Sequence, residues 1–217
     1  MGKHLVLVGG GHAHMVTLAN LHQFIDKGHQ VTVIGPSENH YYSGMGPGML
    51  GKTYTPAEIR FATRHVVEKK GGVFVLAKAV GADPENKPVW LESGKSVSYD
   101  VVSFNCGSYV PKPEMIGDDS NIFTVKPIEK LLDAQKRILS LGSKKKAAIG
   151  IVGGGPSAIE IAGNIWGLTT NYGENTPVIQ IFTRGRLMGR FPDGIRKKAA
   201  QSLLKRGIDI QEKSRIT

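Results

Sequence analysis

The chain has 217 residues, 40% of them hydrophobic and 21% charged, enough to bury a core in one large domain or two small ones. Its single cysteine excludes a disulfide framework, a CxxC redox pair and a cysteine-rich zinc site within this sequence, and no apolar run approaches the ~18 residues of a membrane span. Lys and Arg outnumber Asp and Glu by 28 to 18, a net +10, but the charges are scattered and aromatics make up 7%, so a solvated basic surface is expected ahead of a nucleic-acid face.

His4–Val8 is a short apolar run that ends in Gly9-Gly10-Gly11, which suits a buried parallel strand. Ala13, Val16, Ala19, Leu21 and Phe24 then predict one helix, with Gly28 as its stop, and Val31–Ile34 predicts the next strand. This is a β-turn-α-β unit with parallel pairing and a right-handed crossover. Val73–Leu76 reads as a strand, Asp83-Pro84-Glu85-Asn86 as a turn, and Val89–Leu91, Gly94-Lys95 and Val97–Phe104 as an antiparallel hairpin, giving a β-meander at about 73–104. Pro111 and Pro113 mark a loop near the domain boundary, set between residues 115 and 116, and 128–141 predicts a helix. Residues 147–152 repeat the first pattern: an apolar run, Gly153-Gly154-Gly155, a helix-like stretch ending near Gly167, a strand at Val178–Phe182, a helix at 194–206 and a third strand at Ile208–Ile210. The basic clusters Lys144-Lys145-Lys146 and Arg196-Lys197-Lys198 carry no interleaved aromatics.

The glycines have a physical job. The first turns the chain, the second lets backbone approach a pyrophosphate, and the following helix offers free N–H groups and the positive end of its dipole. Two copies, each between strand and helix, are far more specific than one. The predicted fold is therefore α/β, with two Rossmann-like units, an inserted antiparallel meander, a first domain over 1–115 and an incomplete second domain over 116–217. In the first copy, Gly9-x-Gly11-x-x-His14, a histidine stands where Gly or Ala is usual, and no acidic residue directly follows Ile34, leaving Ser37 or Glu38 for a ribose. His12 reads as a neighbour of the expected pyrophosphate or as a solvent or packing residue; His12 and His14 lack further ligands at metal spacing. The second copy, Gly153-x-Gly155-x-x-Ala158, is regular, and Thr183-Arg184-Gly185-Arg186 follows its second strand. An arginine there can pair with a 2′-phosphate, so NADPH and NADH are both open. Cys106 reads as buried and inert, Trp90 and Trp166 as core, and Tyr41-Tyr42 as packing residues or a stacking surface.

Five segments together carry a family resemblance: Val8-Gly-Gly-Gly-His-Ala-His14, Tyr42-Ser-Gly-Met-Gly-Pro-Gly-Met-Leu50, Tyr99-Asp-Val-Val-Ser-Phe-Asn-Cys-Gly-Ser108, Val125-Lys-Pro-Ile128 and Ile151-Val-Gly-Gly-Gly-Pro-Ser-Ala-Ile-Glu160. The sequence resembles the FAD-dependent pyridine nucleotide-disulfide oxidoreductases, within them the type II NADH dehydrogenase-like proteins and the flavoproteins associated with selenide, water dikinase. The resemblance implies FAD on Gly9, Gly11, His12, Ala13, His14 and Ser37, with Ser43 and Pro47 near the flavin ring. It further implies Val80 by the adenine, and Cys106, Gly107 and Ser108 where backbone passes the FAD. It implies NAD(P)H on Gly153, Gly155, Pro156, Ser157, Ala158, Thr183 and Arg184, with Glu160 seating the nicotinamide by positioning rather than proton transfer.

Hydride would pass from nicotinamide to flavin and on to a quinone or another non-disulfide acceptor. The family also implies roughly 150 further residues, so this sequence is expected to be the N-terminal portion of a longer cytoplasmic protein. Peripheral contact with the inner face of a membrane and a homodimer are expected of the whole, and turnover is not expected of this portion alone. The alternatives are a dinucleotide-sensing module without flavin turnover and, on charge alone, a basic adaptor for nucleic acid or anionic lipid.

Overall fold

The two apolar runs that end in Gly9-Gly10-Gly11 and Gly153-Gly154-Gly155 become parallel strands. The computed structural model describes residues 2–110, 118–143 and 147–214. In chain order the elements are β1 (His4–Val8), α1 (His12–Ala19), α2 (His22–Ile25), β2 (Gln30–Gly35), β3 (His40–Tyr41), a 3-10 turn (Ser43–Met45), α3 (Gly46–Leu50), β4 (Arg60–Phe61), α4 (Thr63–Lys69), β5 (Val73–Leu76), β6 (Ala79–Ala82), β7 (Pro88–Leu91), β8 (Ser96–Ser98), β9 (Val101–Phe104), α5 (Lys130–Gly142), β10 (Ala148–Val152), α6 (Pro156–Tyr172), β11 (Val178–Thr183), α7 (Asp193–Leu204) and β12 (Asp209–Glu212). The chain divides into two units: Met1–Tyr42 with Arg60–Tyr109, and Ser43–Ile59 with Val110–Thr217. The boundary expected between 115 and 116, Pro111, Pro113 and the Lys144-Lys145-Lys146 cluster all lie outside the described residues.

In the first unit β5-β2-β1-β9 form a parallel sheet. Alternation along β1 sends Leu7 to one face, with Leu18, Leu21, Val31, Val33, Val67 and Phe74, and Val6 and Val8 to the other, with Ile34, Val89 and Leu91. Both faces are covered, which is why the strand reads as a continuous apolar run. The single helix expected after the glycines is two: the Asn20 amide donates to the Val16 carbonyl (2.8 Å), ending α1 by competing with the helix ladder.

The antiparallel sheet of the expected 73–104 meander is narrower than the sequence suggested, comprising β6-β7-β8, because Val73–Leu76 pairs parallel with β2 instead. Val97–Phe104 breaks at Asp100, which accepts from the His4 N–H (2.7 Å) and donates its own N–H to the His4 carbonyl (2.9 Å). Those bonds draw β9 into parallel register with β1. Trp90, expected in the core, is 43% exposed: Val89 and Leu91 take the inward positions of β7, so Trp90 faces outward, over Gly81.

In the second unit β10-β11-β12 are parallel. Ala158, Ile161, Ala162, Ile165, Leu168 and Thr169 form the buried stripe of α6 at helical spacing. The helix passes Gly167, the expected stop, to end at Gly173, whose N–H donates to the Thr169 carbonyl. Trp166, expected as core, is half-buried under the Arg206 guanidinium, 5.1 Å from its ring centre. β10 is a more open strand than its sequence implied, with Val152 74% exposed. Near α3, the Gln135 amide donates to the Met49 and Leu50 carbonyls (2.6 and 3.0 Å), satisfying a helix C-terminus that ends in buried surroundings.

Candidate functional site

The first glycine turn joins β1 to α1, and each of its glycines is demanded by a neighbour. Gly9 has φ +91°, and a side chain there would overlap the Asn105 carbonyl. A Cβ on Gly10 would stand 2.7 Å from the Thr63 methyl, and one on Gly11 2.8 Å from Asn105 Nδ2. Gly11 is the N-cap of α1, and no side chain caps it, so the helix N-terminus is presented by backbone alone. Beside it, Asn105 Nδ2 is a buried donor without a partner among the described residues.

The histidine in the third glycine position is 3% exposed and fully engaged. His14 Nδ1 lies 2.6 Å from the Gly9 carbonyl, and Nε2 lies 2.9 Å from the Ser103 hydroxyl of β9. A carbonyl only accepts, so Nδ1 carries the proton, and in the neutral ring Nε2 accepts from Ser103. Around the turn, the exposed His12 ring packs on Tyr42 at 4.5 Å and edge-on to His40 at 5.7 Å, and Tyr42 meets Phe61 at 6.3 Å.

The remaining predicted residues of this site separate. Ala13 is exposed in the first turn of α1. Ser37 is exposed just beyond β2, its hydroxyl accepting from the Asn39 N–H (3.2 Å), while Glu38 is taken by Arg64 (2.6 Å). Val80 is 59% exposed on β6. Cys106, Gly107 and Ser108 follow β9 at the surface, Gly107 with φ +72°. Cys106 was expected to be buried but is exposed, because β9 ends at Phe104 and the chain leaves the sheet there. Ser43 begins the 3-10 turn and Pro47 is buried in α3, both within the second unit.

The second turn joins β10 to α6. Gly153 has φ +140°, and its N–H donates to the Phe182 carbonyl (2.9 Å). A Cβ on Gly154 would overlap the Thr183 hydroxyl, whereas one on Gly155 would meet nothing within 4 Å. A cleft of about 810 Å³ opens here, lined by Gly153–Pro156, Thr183 and three exposed arginines, Arg184, Arg186 and Arg190. Residues 183–191 contain no carboxylate.

The arginine loop is fastened by backbone. Met188 N–H donates to the Gly154 carbonyl (2.6 Å), Leu187 N–H to Glu212 Oε1 (2.8 Å), and Ser214 N–H to the Thr183 carbonyl (3.0 Å). Ala158 is buried near Gly153, as the third position requires; Ser157 and Glu160 are exposed on α6, and neither is among the residues lining the cleft. Sequence reasoning missed Thr63, Ser103, Asn105 and Arg190, which reach the two turns from distant elements or a loop; Arg186 was visible in the Arg-Gly-Arg run.

A parallel sheet whose strand ends in a glycine turn and helix N-terminus, found once in each unit, defines a protein of the two-dinucleotide-fold class. The chain belongs to the pyridine nucleotide-disulphide oxidoreductase family, whose model matches residues 3–217. It is 26% identical to the oxidoreductase ptaL of Pestalotiopsis fici, over 96% of this chain and 56% of that protein. It is 22% identical to demethylphylloquinone reductase NdbB of Synechocystis, over 98% of this chain and 54% of that protein. The chain thus spans about half the length of the curated relatives it matches. Among solved structures, the sulfide:quinone oxidoreductase of Aquifex aeolicus superposes with a TM-score of 0.79 at 21% identity, covering 98% of this chain and 51% of that one.

Proposed function

We propose that the whole protein is an FAD-dependent NAD(P)H oxidoreductase that passes electrons to a quinone or another non-disulfide acceptor. The observation that carries this is the pairing of two glycine turns, each closing a parallel strand onto a helix N-terminus, with three arginines around the second. The first turn fits a dinucleotide: its glycines leave no room for side chains, α1 is capped by backbone alone, and the buried Asn105 Nδ2 lacks a partner among the described residues. Gly9, Gly11, His12 and Ala13 would hold the FAD pyrophosphate, Ser37 its ribose, Val80 its adenine side, and Cys106–Ser108 its remaining contacts within this unit. Bound there, FAD supplies hydride acceptance from a reduced nicotinamide. Gly153, Gly155, Pro156 and Ser157 would take the second pyrophosphate, and Glu160 would orient the nicotinamide. A single cysteine leaves no thiol pair to carry electrons within this sequence, which supports an acceptor other than a disulfide. The name of the relative NdbB, a demethylphylloquinone reductase, supports a quinone. No helix among the described residues is long and apolar enough to cross a membrane; a cytoplasmic protein, peripheral at its inner membrane face and homodimeric, is part of this proposal.

The nucleotide is proposed to be NADPH in preference to NADH. Arg184, Arg186 and Arg190 offer bidentate donors to a 2′-phosphate, and residues 183–191 lack the carboxylate that would favour a free ribose hydroxyl. The test is the visible spectrum of the full-length protein loaded with FAD and then titrated with each nucleotide. A retained flavin band bleached by NADPH at a concentration at least ~10-fold below that needed for NADH is expected, and Arg184→Ala should erase most of that difference. A protein that holds NADPH but no flavin would instead be a dinucleotide sensor.

A further inference from the structure

The first glycine turn departs from its usual pattern at one residue, and that residue makes the turn's most specific contacts. His14 is buried, its ring is hydrogen-bonded at both nitrogens, and it links the Gly9 carbonyl (2.6 Å) to Ser103 on β9 (2.9 Å). A glycine or alanine at this place allows close packing of helix on strand but offers nothing to the turn. Here the imidazole fills that space and holds a backbone group.

The held group matters because a trans peptide is rigid. The Gly9 carbonyl and the Gly10 N–H belong to one plane and point in opposite directions. Gly9 has no Cβ and sits at φ +91°, so this plane is freer to rotate than one set between residues with side chains. The Gly9 N–H is fixed on the preceding side by the Ile34 carbonyl (2.8 Å). Fastening the Gly9 carbonyl to His14 fixes the following side and turns the Gly10 N–H away from the histidine. Ser103 in turn fixes the ring: by donating to Nε2 it leaves the proton on Nδ1, the tautomer that can donate to Gly9.

We propose that His14 is a positioning residue that pre-orients the Gly9–Gly10 peptide for the diphosphate of FAD, with Ser103 selecting its tautomer. This rests on the flavin reading above. Pre-orientation lowers the ordering cost of binding and so raises affinity without contact between His14 and ligand.

Two substitutions separate the two ends of the ring. The amide nitrogen of Asn falls where Nδ1 does and can still donate to Gly9; that of Gln falls nearer Nε2 and cannot. In full-length protein titrated with FAD, His14→Asn should bind within about 3-fold of the parent, while His14→Gln and His14→Ala should bind about 10-fold or more weakly. Melting temperatures of all three variants check that the fold survives. Long-range proton–nitrogen NMR of the imidazole, which needs no flavin, should find His14 as the Nδ1–H tautomer. An Nε2–H tautomer, or equal FAD affinities for His14→Asn and His14→Gln, overturns the proposal. A parent protein that shows the Nδ1–H tautomer but binds no FAD overturns the flavin reading and the ligand half of this one, leaving the clamp on Gly9 established.

Discussion

Gly9 and Gly155 are both turn glycines, yet substitution should harm them in different ways. Gly9 sits at φ +91°, where an L side chain is strained, and its Cβ would overlap the Asn105 carbonyl. Gly9→Ala should cost at least about 1–3 kcal/mol, lowering the melting temperature by roughly 2–4 °C per kcal/mol. Gly155 has φ −93° and ψ −178°, ordinary extended backbone, and a Cβ there meets nothing within 4 Å. Gly155→Ala should leave the melting temperature unchanged within about 1 °C and, if the proposed pyrophosphate site on this turn holds, weaken NAD(P)H. Equal melting losses in both variants would contradict this assignment of roles. Such glycines are legible in sequence because their spacing is local. The partners of His14 were not, since Ser103 lies 89 positions away in the chain. Trp90 was read as core, whereas the period-2 pattern of its neighbours Val89 and Leu91 already directed it outward.

At the scale of elements, apolar runs located the strands of the two parallel sheets except β9, which was read into an antiparallel hairpin, but a run does not say how many of a strand's faces are covered. β1 and β10 look alike in sequence. In β1 both faces pack, Leu7 at 2% exposure against one cluster and Val6 at 0% against another. In β10 Val152 is 74% exposed. Leu7→Ala should therefore destabilise by about 2–5 kcal/mol, through lost transfer energy and the cavity left behind. Val152→Ala should change stability by no more than about 0.5 kcal/mol. Equilibrium urea unfolding of the two variants measures both, and a large loss for Val152→Ala would show that β10 is covered on its second face. The break between β8 and β9 was illegible for a different reason. Val97–Phe104 is a plausible single strand, and what divides it is a long-range pair of hydrogen bonds between Asp100 and His4. The 184–190 loop was likewise legible in its arginines but not in its anchors, because Glu212 on β12 comes from outside the glycine motif.

Over the whole molecule, the net charge of +10 makes the few acidic groups matter more than their number suggests. Several are held below the ordinary carboxylate range by hydrogen bonds. Asp100 is lowered chiefly by the His4 backbone N–H, Asp83 by the Asn86 side chain, Asp118 by the Ser120 backbone, Asp209 by the Gln211 side chain and Glu58 by the Thr55 backbone. A carboxyl whose folded-state pKa is depressed binds its proton more readily when unfolded. Its contribution is therefore complete above the unfolded value, about 3.8 for aspartate, and is lost as pH falls through the lower folded value. Neutralising these groups also raises a positive charge that is already large. Stability should thus be insensitive to these carboxylates between about pH 5 and 7 and fall steeply below about pH 4. Asp100 makes the sharpest test, because it joins the start of β1 to the start of β9. Asp100→Asn should melt below the parent at pH 7, and the gap between them should shrink toward pH 3, where the parent's own carboxyl is becoming protonated. A gap that stays constant across that range would mean that Asp100 acts through its shape and backbone bonds alone, and that its charge contributes nothing to holding β9 against β1.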